Sequence, residues 1–75
     1  MMMFHIRVNT GDHDVTRMYW FVHKQYATLT AEEQSEDWDK AVKELNHIYK
    51  DYGRFATPTG VMRFFGAHGF EITIP

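Results

Sequence analysis

The chain has no cysteine, one serine and only two prolines, and no apolar run long enough to span a membrane. Without cysteine there can be no disulfide staple and no thiolate zinc site. The single serine, Ser35, sits among acids with no glycine-flanked elbow, so serine-nucleophile chemistry is poorly supplied. A basic excess is missing too. Eight Lys and Arg against ten Asp and Glu give a net charge of −2, which offers no sequence-independent grip on nucleic acid. P-loop, dinucleotide and EF-hand spacings are absent. "MMMFHIRV" lacks the basic start and small-residue cleavage site of a signal peptide. The expected setting is therefore soluble and cytoplasmic, or the host cytoplasm if the source is viral, with no cofactor.

What is present is apolar and aromatic. Hydrophobic residues make up 44% of the 75 positions and aromatics 16%, enough for one domain over 1–75 near the lower size limit for a self-sufficient core. Domains of this size are commonly completed by a disulfide, a metal or self-association. The first is excluded here, and a homodimer is expected.

Phe4, Ile6 and Val8 alternate with His5, Arg7 and Asn9, the pattern of a half-buried strand, and Asn9-Thr10-Gly11-Asp12 reads as a turn. The segment Val15–Ala27 is ambiguous. Its Val, Thr, Tyr, Trp and Phe favour a strand, while Val15, Met18, Tyr19, Val22 and Tyr26 fall on one helical stripe with Arg17 and Lys24 roughly opposite. Pattern is preferred to propensity, which gives a helix. Thr30-Ala31-Glu32-Glu33 is a capping box. Trp38, Ala41, Val42, Leu45, Ile48, Tyr49 and Tyr52 follow helical spacing to Gly53. A third helix starts with Thr57 as cap and Pro58 at its first position, carries Val61, Phe64, Phe65 and His68 on one face, and closes at Gly69. Phe70, Ile72 and Ile74 alternate as a last strand. The expected fold is α+β, arranged β-α-α-α-β, with the first and last strands paired and the helices on one face. The alternative is a β-hairpin over 3–23, two helices and a C-terminal strand in a three-stranded antiparallel sheet.

Chemistry has few places to sit. In "TGDHDV", Asp12 and Asp14 flank His13, and an extended turn projects both carboxylates the same way. A metal needs further ligands. His5 and His23 are the candidates, without HxxxH or ExxH spacing. The simpler reading makes Asp12 or Asp14 the cap of a helix starting near Val15. His68 next to Gly69 could serve as a base, but suits the last turn of a helix. His47 is a helix-surface residue. "GRFATPTG", with Arg54, lacks the GK[ST] ending of a phosphate loop and joins two helices. No catalytic residue and no metal site is assigned, and the chain is read as a non-enzyme.

Two surfaces carry more content. On the far side of the expected first helix, Arg17, Trp20, Phe21 and Lys24 form a Trp/Arg/Lys face of the kind found at interface hot spots. Glu32, Glu33, Glu36, Asp37 and Asp39 concentrate negative charge at the start of the next helix, where they complement its dipole and could also meet a basic surface. The leading reading is a small non-enzymatic module that binds another protein. Compact factors of this sort are common among virus-encoded inhibitors that dock on a host enzyme or defence complex. Second comes a nucleic-acid-associated accessory protein, using Arg7, Arg17, Lys24, Arg54 and Arg63 with exposed aromatics, or an acidic surface that mimics nucleic acid. Third is a small metal-dependent enzyme built on Asp12, His13 and Asp14.

Overall fold

The computed structural model describes residues 1–9, 16–48 and 58–75. Strand β1 (Met3–Asn9) is followed by β2 (Thr16–His23), helix α1 (Ala31–Ile48), helix α2 (Pro58–Ala67) and strand β3 (Phe70–Thr73). The fold is α+β, with one antiparallel sheet in the order β1-β2-β3. The three-stranded alternative is therefore the observed arrangement. The expected helix over 15–27 is corrected to strand β2, and the first and last strands do not pair, because β2 lies between them.

The physical reason is the central position of β2. Pairing on both edges favours its β-branched and aromatic residues, and apolar residues occur on both of its faces, a mixture that imitated a helical stripe. Met18 and Tyr19, neighbours on the imagined stripe, point to opposite faces. Tyr19, Phe21 and His23 turn inward and are buried. Arg17 shares their parity but stays exposed at the start of the strand. Met18, Trp20 and Val22 turn outward. A helix cap at Asp12 or Asp14 loses its premise, since the element that follows is a strand.

Both helices pack on one face. Phe4, Val8, Tyr19, Phe21 and Phe70 from the strands join Ala41 and Leu45 of α1 and Val61 and Phe65 of α2 in one core. Trp38 is its hub, with ring centroids 5.1 Å from Phe4, 4.8 Å from Phe65 and 5.1 Å from Phe70. Such stacked and edge-on contacts add to the burial of each ring.

The local signals for the helices read correctly. The Thr30 amide donates to Glu33 Oε1 at 2.9 Å and the Glu33 amide donates to Thr30 Oγ1 at 3.1 Å, a reciprocal capping box. α2 begins at Pro58, and Gly69 closes its end at φ 91°, a left-handed conformation that suits glycine. The apolar stripe of α1 reaches Leu45, whereas Ile48 is exposed. Tyr49, Tyr52, Gly53, Arg54 and Thr57 lie outside the described residues, as do Asp12, His13 and Asp14. No described helix is long and apolar enough to cross a membrane.

Candidate functional site

Because both helices lie on one side, the other side of the sheet has no layer over it among the described residues. Strand alternation places Met3, His5 and Arg7 of β1, Met18, Trp20 and Val22 of β2, and Glu71 and Thr73 of β3 on that outer face. The register arranges them in rows: His5, Trp20 and Thr73 in one, Met3, Val22 and Glu71 in the next, and Arg7 beside Met18. Trp20 is thus central. It is half-buried, its ring tilted against His5 with centroids 4.9 Å apart. Met18 is 41% exposed, while Val22, between Met3 and Glu71, is buried. Arg7 and Arg17 occupy the end of the sheet nearest the β1–β2 connection, and Glu71 the opposite end.

The expected Trp/Arg/Lys face is only partly assembled. Phe21 is removed from it: at 0% exposure it lies in the core, on the opposite side of β2 from Trp20. Arg17 and Lys24 stand seven residues apart along an extended chain, roughly 23 Å at strand rise. Lys24 folds toward the helices, where its Nζ donates to the Gly66 carbonyl at 3.1 Å near the end of α2. What remains around Trp20 is His5, Met18 and Arg7, of which sequence reading singled out Arg7 for nucleic acid and His5 only as a helper for a metal. Register knowledge was the missing signal, since β1 contributes half of the patch.

The five acids also divide. Glu33 closes the capping box, and its hydrogen bonds with Thr30, backbone first and hydroxyl second, hold its carboxyl below the usual range. Asp37 turns to His23. Glu32, Glu36 and Asp39 stay exposed and, with Ala31 and Ser35, border a shallow open depression along α1. The Ser35 hydroxyl approaches Met2 Sδ at 4.0 Å and has no base beside it among the described residues.

His23 is the buried polar residue that sequence reading placed least well. Its Nδ1 accepts from the Gln25 amide at 3.0 Å, and its Nε2 lies 2.8 Å from Asp37 Oδ2. An acceptor at Nδ1 carries no proton, so Nε2 holds the hydrogen and donates it to the carboxylate. The ring packs edge-on against Phe70 at 4.9 Å. Both nitrogens are engaged and the residue is 3% exposed, leaving no free atom for a substrate. The pair resembles a catalytic dyad in composition and works as a clamp, tying the end of β2 to α1. Gln34 extends the clamp, its side-chain amide donating to the Leu29 carbonyl at 3.1 Å.

His5 and His23, the expected helpers of a metal at Asp12, His13 and Asp14, lie on opposite faces of the sheet and cannot converge. Among the described residues, no group of three or more potential metal ligands comes together. The basic residues of the nucleic-acid reading are spread out, with Arg7 and Arg17 at one end of the sheet, Lys24 at the other and Arg63 on α2. His68 lies tilted against Phe64, ring centroids 4.6 Å apart, in the turn after α2, and His47 is exposed on α1. No protein-family model, curated protein or solved structure matches this chain.

Proposed function

We propose that this chain is a non-enzymatic protein-binding domain that engages its partner through the outer face of the sheet, centred on Trp20. The observation that supports this reading is a tryptophan in the middle strand of a face that neither helix covers, flanked by His5 and Met18 and bordered by Arg7. A large, preorganised aromatic loses little side-chain entropy on docking, and rims of charge set orientation. The partner surface that fits is apolar opposite Trp20 and Met18, acidic opposite Arg7, and basic opposite Glu71. A domain of this design acts by occupying a surface, as an inhibitor does, and needs no reacting group.

The test is capture from native cells with the wild-type chain and the Trp20→Ala variant, alongside thermal unfolding of both. A partner held by the wild type and lost by a variant that melts normally supports the reading. Retention by Trp20→Ala removes it. If the retained species is instead nucleic acid whose binding falls steeply with salt, the accessory-protein reading takes its place.

A further inference from the structure

The two edges of the sheet are built differently, and the difference points to a second copy of this chain. Edge β3 has four residues, includes an acid and is followed at once by Ile74 and Pro75. Short length, charge and proline are the usual ways in which a sheet edge is closed to strangers. Edge β1 is longer, and its one formal charge, Arg7, points to the outer face. It runs for seven residues in unbroken register with β2, without proline, lysine, acid or bulge. In an antiparallel strand, alternate residues turn their N–H and C=O groups away from the paired neighbour. Among the described residues, no backbone hydrogen bond reaches the far side of β1.

We infer that β1 pairs antiparallel with β1 of a second copy, about a two-fold axis at Ile6, to make a continuous six-stranded sheet. The strand is self-complementary in that register. With the axis at Ile6 the whole strand overlaps itself, Phe4 faces Val8 of the second copy, Ile6 faces its own symmetry mate, and His5 faces Arg7. Direct partners then share a face, so the inner apolar residues meet one another and all four helices lie on one side. Ile6 supplies the second observation. Phe4 is 8% exposed and Val8 1%, but Ile6 between them is only half-buried against the core. The inner face is incomplete at both edges, at Ile6 on β1 and at the exposed Ile72 on β3, and the first of these coincides with the symmetry axis. No carboxylate lies on β1 itself, so like charges of that sign do not meet within the paired strands. The two Trp20 strands become three strand spacings apart, roughly 14 Å. The inference stands on the edge alone and does not depend on what the outer face binds.

The experiment uses the full chain, whose lack of cysteine leaves no background for a thiol probe. Light scattering across the micromolar to millimolar range should give twice the chain mass of 8.9 kDa at the upper end. Directly opposed residues in an antiparallel pair fall within disulfide range. Ile6→Cys should accordingly become a covalent dimer on mild oxidation, while Thr73→Cys on the other edge stays largely monomeric. Ile6→Lys should be a monomer with the wild-type circular dichroism spectrum, and Trp20→Ala should remain a dimer. A wild-type mass of one chain throughout overturns the inference. So does stronger cross-linking at position 73 than at position 6, which would make β3 the seam, or a dimer that Trp20→Ala dissolves, which would make it the outer face.

Discussion

Trp20 and Phe21 are adjacent aromatics on one strand, and the sheet sends them to opposite fates. Phe21 points into a layer made by two helices, with its ring 4.8 Å from Phe65 and 5.9 Å from Trp38, and no solvent reaches it. Trp20 points to the side away from both helices, where its described ring partner is His5. The inner face is defined by the two helices that pack on it, the outer face by having neither. A single strand thus carries both the stability of the domain and its candidate contact surface. Sequence proximity says nothing about which residue does which.

The sharpest way to break this comparison is to truncate each in turn. Phe21→Ala should cost about 3–5 kcal/mol, comparable with the whole stability of a domain this small. Trp20→Ala should cost about 1 kcal/mol, as befits a half-buried outer residue. Urea titrations of the two variants measure the gap, and equal losses would erase the distinction between the faces.

Next comes the clamp. Asp37→Ala leaves the buried Nε2–H of His23 without its acceptor and should cost about 1–3 kcal/mol. Asp37→Asn keeps an oxygen in place and should cost less, a ranking that the same titrations read directly.

A smaller effect is expected at the capping box. Thr30→Ala should lower stability by about 1 kcal/mol. It should also raise the Glu33 carboxyl toward its ordinary value, which an NMR titration follows. Since Glu33 is held below that value in the folded state, its contribution is present above the ordinary carboxylate range and is lost as pH falls through the lowered value. Thr30→Ala should therefore flatten the acid limb of the stability profile.

The smallest change expected is at Tyr19, whose buried hydroxyl has no hydrogen-bond partner among the described residues. An unsatisfied buried hydroxyl is unfavourable, so Tyr19→Phe should be neutral or slightly stabilising. A clear loss in melting temperature would show that the hydroxyl is bonded in solution.

Residues 30–33 and 58–69 were legible because a cap, a terminating glycine and an amphipathic stripe are local: each works through neighbours within a few positions. The capping box of Thr30 and Glu33, the start of α2 at Pro58, its close at Gly69 and the alternation of β1 all followed from such signals. Residues 16–23 were legible only as an ambiguity, strand by propensity and helix by pattern, because a central strand is decided by the partners on either side, and those partners lie elsewhere in the chain. The candidate site shared that fate. Trp20 could be singled out as an off-core tryptophan, but its real neighbours His5 and Arg7 come from β1, and Phe21 had to be removed once its face was known.

By itself the sequence determined the α+β class, the two helix starts and the outer strands, since propensity and periodicity act along the chain. Tertiary structure alone decided that β2 lies between β1 and β3, that His23 meets Asp37 fourteen residues away, and which side of the sheet the two helices pack on. The physical reason is that strand pairing and side-chain burial are properties of two surfaces brought together, and one chain segment specifies only its own.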